Sequence, residues 1–170
     1  MARPADLPAL ETRYRLDRHR HMLRMVVRPE RLAVPPPPPG LVHLGPEDHP
    51  ALSDLYALWP RMSFHPGTLE PDFLFGIYDA DRLVAVAGAH AHSRRYGAGI
   101  IGGVFTHPAY RSRGFATAVT GAVAGALAAA GAHDIALNVL ADNVPAIAAY
   151  RRLGFTERLA FLDARAIIRA

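Results

Sequence analysis

Between Ile100 and Ala130 the chain runs without a spacer through three kinds of segment. An apolar stretch, Ile100-Ile101-Gly102-Gly103-Val104-Phe105-Thr106, leads through His107-Pro108 into the corner Arg111-Ser112-Arg113-Gly114-Phe115-Ala116-Thr117, and an alanine-rich run follows. A strand, a tight corner and a long helix in direct succession leave few folds open. Gly114 lets the backbone come close to a ligand, and Ala116 adds almost no side chain. The amides from about Arg113 to Thr117 open a helix, where free N–H groups and the helix dipole favour an anion. The corner reads as a phosphate cradle.

The helix after it carries Val119, Ala122, Val123, Ala126, Leu127 and Ala130 on one stripe, and Gly131 is its C-cap. Ile135, Leu137 and Val139 then alternate as a strand. Asp142-Asn143-Val144-Pro145 starts a helix with a capping side chain and a proline where its missing N–H costs nothing. That helix ends at Gly154, and Phe155 to Ile168 supplies one or two final strands. Upstream, Leu41 to Leu44 is a short strand and Pro46 to about Leu58 a helix with Leu52, Leu55, Tyr56 and Trp59 on its apolar face. Phe73–Tyr78 and Leu83–His90 are strands joined by the turn Asp79-Ala80-Asp81-Arg82, and Gly99–Thr106 is a further strand. The order β-α-β-β-β-α-β-α-β predicts a mixed α/β sheet.

Ahead of this body, residues 1–40 look like a basic arm closed by a linker. Residues 1–19 read as frayed or a short helix, Met22–Val27 as a strand stopped by Pro29, and Pro35–Pro39 as a stiff polyproline spacer before Gly40. The net charge of +4 lies here: residues 1–40 hold eight Arg against four Asp or Glu, and residues 41–170 hold eleven of each. A basic surface spread over the body is not expected, so neither is nucleic-acid binding. The arm suggests a packed tail, a docking segment or a dimerisation strand. No run is apolar enough to span a membrane and no signal peptide is visible, so a cytoplasmic location is expected. Without Cys or Lys, cysteine nucleophiles, thiolate metal sites and lysine chemistry are excluded.

Three linked features resemble the GNAT superfamily of acyl-CoA N-acyltransferases over about residues 41–162. They are the corner Arg111-Ser112-Arg113-Gly114-Phe115-Ala116, the strand ending Val104-Phe105-Thr106 before it, and Leu137-Asn138-Val139 followed by Asn143, Ala146, Tyr150, Gly154 and Phe155. The resemblance implies a mostly antiparallel sheet splayed at the cofactor site, with flanking helices. It implies acetyl-CoA or a related thioester as donor and an amine acceptor, with direct transfer in a ternary complex and no metal. The pyrophosphate would sit on the amides of Arg111 to Thr117, and pantetheine would pair with the backbone of Val104 to Thr106. An N–H near Phe105 would stabilise the oxyanion. Tyr150 would give a proton to the leaving thiolate. Asn143 would cap its helix and contact the pantetheine arm, and Asn138, on the preceding strand, would also bind the cofactor.

Many family members carry a glutamate where this chain has Ile100, and others where it has Asn138. Neither residue here ionises. His90 and His92, expected on one strand face, or His65 or His107, are candidate bases, as is a water held by Asn138. Two histidines alone are too few for a metal site. Trp59, Arg61, Met62 and Phe64, with the Arg94–Ala98 turn, are expected to shape the acceptor side. The missing carboxylates leave a second reading open, a non-catalytic domain that binds and senses acyl-CoA.

Overall fold

The computed structural model describes residues 4–59 and 66–169. Arg61, Met62, Phe64 and His65 lie outside the described residues. The elements are α1 (Leu7–Arg13), β1 (Tyr14–Val27), β2 (Leu41–His43), α2 (His49–Ala57), β3 (Glu70–Asp79), β4 (Arg82–Ser93), β5 (Ala98–Thr106), α3 (Phe115–Ala129), β6 (Asp134–Leu140), α4 (Val144–Arg152) and β7 (Thr156–Ile168). The strands form one seven-stranded sheet in the order β2-β3-β4-β5-β6-β1-β7. Neighbours are antiparallel except β5 and β6, which are parallel because α3 carries the chain back over the sheet between them.

The signals from Leu41 onward place their elements well. Asn143 caps α4 by accepting from the Ala146 amide at 3.3 Å, and Gly131 and Gly154 take positive φ just after α3 and α4. The N-terminal segment departs from the expected arm. α1 ends at Arg13, and the strand expected at Met22–Val27 begins at Tyr14 and lies inside the sheet. It pairs with β6 from Met22 to Val27 and with β7 along most of its length. Met25 and Val27 are fully buried in the main core. The charges of this segment are partly spent inside the fold, with Arg20 on Asp163 at 2.6 Å and Arg28 on Asp134 at 3.4 Å. Between Met22 and Val26 the strand is paired on both sides, which leaves that part no free edge for a dimer.

Two cores sit on opposite faces of the sheet. The larger joins α3 and α4 to Met25, Ile77, Ile101, Ile135, Leu137 and Phe155. The smaller packs α2 through Leu52, Leu55 and Tyr56 against Leu74, Val86 and Phe105. The proline run lies on the larger side instead of spacing two bodies apart. The Ala33 amide donates to the Leu153 carbonyl at 3.1 Å, and Val34 covers α3 at Gly121 and Gly125, where a Cβ would meet it at 3.4 and 4.0 Å.

Candidate active site

The site begins where β5 and β6 part. Their parallel ladder runs from Ala98–Asp134 to Ile101–Leu137 and stops. Beyond it β5 continues to Thr106 and β6 to Leu140, each paired only on its outer side. Unpaired strand backbone is an obligatory hydrogen-bonding surface, so the opening can accept an extended chain with amide groups.

A bulge shapes the β5 side of the opening. Gly88 faces Gly102 and Val86 faces Phe105, so β5 has one residue more than β4 between these pairs. Gly103 absorbs the extra residue at φ 63°, a conformation that a side chain makes costly. The bulge switches faces: Ile101 packs in the α3 core, and Phe105 packs in the α2 core, stacked on Trp59 with ring centroids 5.2 Å apart. Tyr56 holds the kink by donating to the Gly103 carbonyl at 2.6 Å. Burial pushes the Tyr56 phenol well above its usual range, so it remains a donor. The sequence shows Tyr56 only as one member of an apolar helix face.

After the bulge the ladder is regular. The His107 amide donates to the Val84 carbonyl at 2.8 Å, with Ala85 opposite Thr106 and Val86 opposite Phe105. Antiparallel alternation therefore turns the Phe105 amide towards β4 and the Thr106 amide towards the opening. An oxyanion donor expected near Phe105 shifts to a neighbouring amide on this geometry. The Thr106 hydroxyl is buried without a partner among the described residues, and the Thr106 carbonyl accepts from Arg111 Nε at 3.4 Å.

The corner follows at once. Ser112 and Gly114 both take positive φ, 63° and 81°, which turns successive amides to one side as in an anion-binding nest. Gly114 is the N-cap of α3 and offers no side-chain cap, so the Phe115, Ala116 and Thr117 amides have no intrahelical acceptor. Nothing lies within 4 Å of a Cβ built on Gly114. The Arg113 guanidinium lies over the Tyr110 ring at 4.9 Å. Uncapped amides, an orphaned hydroxyl and open strand backbone fit a pantetheine pyrophosphate.

α4 places Tyr150 in the larger core, 6 % exposed and 6.2 Å from the Phe155 ring. Burial raises its phenol well above the ordinary value. Asn138, the first β6 residue beyond the shared ladder, accepts from Arg24 Nε at 3.0 Å. Arg24 comes from β1 and reaches over the Phe161 ring at 5.8 Å.

The two histidines separate. A second register shift, between Ala89 and Ala91, puts His90 and His92 on opposite faces instead of the one face that simple alternation predicts. The His90 ring occupies the space a Gly102 side chain would need, with only 2.0 Å to a Cβ there. It is half-buried, and desolvation lowers its pKa below the ordinary 6.5. His92 stands opposite Gly99, under α3, edge-on to Phe73 at 4.9 Å, and its Nε2 is buried without a partner among the described residues. His107 Nδ1 is occupied by the Ala109 amide at 3.2 Å. Among the described residues no three side chains converge as a metal site.

The model of the GNAT acetyltransferase family matches residues 40–155, which contain the opening, the corner and Tyr150. The chain belongs to the GNAT acetyltransferase family. With that membership comes the family's reaction, transfer of an acyl group from acetyl-CoA to an amine. A Novosphingobium aromaticivorans protein assigned to the GNAT family as an acetyltransferase superposes at TM-score 0.76 with 28% identity, over 92% of this chain and 68% of that one. A GCN5-related N-acetyltransferase from Sphaerobacter thermophilus has TM-score 0.72 and 21% identity, over 99% of this chain and 59% of its own. Arabidopsis thaliana Naa50, in complex with the bisubstrate analogue CoA-Ac-MVNAL, has TM-score 0.59 and 18% identity, over 68% and 82%. The last two are likenesses of fold. No curated protein matches the chain in sequence. Among the described residues no helix is long and apolar enough to cross a membrane.

Proposed function

We propose that this GNAT domain transfers an acetyl group from acetyl-CoA to a primary amine of a small molecule or peptide, by direct attack in a ternary complex. The observation that carries this reading is the end of the β5–β6 ladder at Ile101–Leu137, with the uncapped amides of Phe115 to Thr117 in the corner that follows β5. These amides hold the pyrophosphate, and the backbone of Val104 to Thr106 pairs with the pantetheine arm. An amide of that segment meets the oxyanion, and Thr106 is better aimed than Phe105. Tyr150, kept protonated by its surroundings, gives its proton to the departing thiolate. The peptide conjugate held by Naa50 supports a peptide amine among the acceptors.

The base is His90. It shares the sheet face of Gly102 and Ile100, where a carboxylate is missing, and its lowered pKa keeps it neutral near pH 7 and able to take the amine proton. His92 is turned away under α3.

Release of free CoA over a panel of amines, with Tyr150→Phe as control, tests the proposal. Amine-dependent release that falls about a hundredfold or more in the variant is expected. Tight acetyl-CoA binding without turnover on any amine would instead favour the acyl-CoA-sensing reading, which the missing carboxylates motivate.

A further inference from the structure

The β6 lip of the opening is flanked by two residues from outside the family match, Arg24 and Phe161. Asn138 is the first β6 residue beyond the ladder shared with β5, and β1 places Arg24 opposite it. Leu137 and Val139, on either side of Asn138, enter the α3 core, as does Met25 beside Arg24. Alternation therefore puts Asn138 and Arg24 on the other face of the sheet, where the His90 ring fills the notch at Gly102. α2 covers that face at Leu74, Val86 and Phe105, whereas Asn138 is exposed. The β1 and β6 backbones are one strand spacing apart, about 5 Å. The Arg24 guanidinium thus stands beside the mouth of the opening, on the face of the candidate base.

Its position is fixed from two sides. Arg24 Nε donates to Asn138 Oδ1 at 3.0 Å, and the group lies over the Phe161 ring at 5.8 Å, within cation–π range. Phe161 is buried and stands opposite Met22 on the same face. Arg20, four residues back on that face, meets Asp163 at 2.6 Å and is neutralised by it. Asn138 does something different to Arg24: an amide orients the guanidinium and cancels none of its charge. The bond to Asn138 uses one of five N–H donors in a rigid fork whose geometry matches a carboxylate. A glutamate at position 138 would instead have closed Arg24 into a cross-strand ion pair.

We propose that Arg24 receives a carboxylate of the acceptor, so that the preferred amines are acidic ones with the carboxylate a few bonds from the nucleophilic nitrogen. The inference rests on the acetyltransferase reading above and adds what selects its acceptor. The amine stands in the opening near His90 while its carboxylate lies across β6 on the guanidinium, and this second point of attachment aims the nitrogen at the thioester. A free amino acid and a peptide with an acidic residue next to its N-terminus share this chemistry.

Steady-state kinetics of the full chain with acetyl-CoA tests it, with acceptors matched in pairs that differ in the carboxylate. The pairs are ω-amino acids of two to six carbons against their primary amides, and the dipeptide amide of Ser and Glu against that of Ser and Gln. In the wild type the acidic member should have the higher kcat/KM by about tenfold to a hundredfold, the range for a charged hydrogen bond. The series with the larger ratio identifies the source of the carboxylate. Arg24→Gln should bring the ratio to about one, and Asn138→Glu should do the same by neutralising Arg24 in place. A merely structural loss would lower both members of a pair together and keep the ratio. A wild-type ratio near one, or a ratio that survives both substitutions, would overturn the proposal and leave acetyl transfer standing. Turnover on no amine with acetyl-CoA bound would remove the acetyltransferase reading itself, and this inference with it.

Discussion

At the scale of single residues the site depends on side chains that hold backbone in place as much as on those that would touch substrate. Tyr56 donates to a carbonyl 47 positions away in sequence. Its phenylalanine variant keeps the ring and leaves the Gly103 carbonyl unpaired in a buried place, which costs about 1–3 kcal/mol. A chemical melt should show that loss, and acetyl-CoA affinity should fall with it as the kink relaxes. His90 carries a prediction about pH. Its folded pKa is depressed, so the unfolded chain binds the proton more readily. The stability at stake is present above pH 6.5 and lost as pH falls through the lower folded value. Thermal melts from pH 7.5 down to pH 5 should show the decline, and His90→Gln should flatten its His90 part. The same variant should remove the acid limb of kcat/KM; an unchanged limb would move the proton to a water held elsewhere. Asn143 as a helix cap and the glycine corner could be picked out from sequence because their signals are local, whereas Tyr150 was named through the family resemblance. The bond from Tyr56 joins α2 to β5 and has no spacing to reveal it.

At the scale of elements, bulges decide which face each side chain occupies. Burial along β5 alternates from Ala98 to Thr106 without a visible break, yet the partner helix changes from α3 to α2 at Gly103. A period-two pattern shows that a strand is half-buried and says nothing about which layer buries it. For the same reason His90 and His92, two apart in sequence, were expected on one face and are divided. Gly103→Ala should cost about 1–2 kcal/mol for a side chain at positive φ and should lower affinity for acetyl-CoA. Thermal melts and titration measure both, and an alanine variant as stable and as tight as the wild type would show that the bulge does not shape the opening. The Pro35–Pro39 run was legible as a segment outside helix and strand, which it is. That it packs on α3 follows from the gap left by Gly121 and Gly125, residues that fell outside the helical stripe read from sequence.

For the whole molecule, the N-terminal segment supplies an interior strand of the sheet, between β6 and β7. The charge count placed the basic excess in residues 1–40 and suggested a separate arm, because β1 is polar on one face and rich in Arg. Its other face contributes Met25 and Val27 to the main core. A strand between β6 and β7 is a long-range pairing that no local signal announces. Deleting residues 1–28 should therefore abolish cooperative thermal unfolding, since both neighbours lose a ladder and the core loses those side chains. A truncated chain that melts cooperatively at the wild-type temperature would mean that β1 is dispensable.

The central claim is that the gap between β5 and β6 receives the donor. Residue-resolved amide hydrogen exchange, with and without acetyl-CoA, tests it most directly. Thr106 and the α3 amides of Phe115 to Thr117 should gain protection, while Phe105, already turned to β4, should change little. Acetyl-CoA binding that leaves Thr106 and Phe115 to Thr117 exchanging as before would contradict the account.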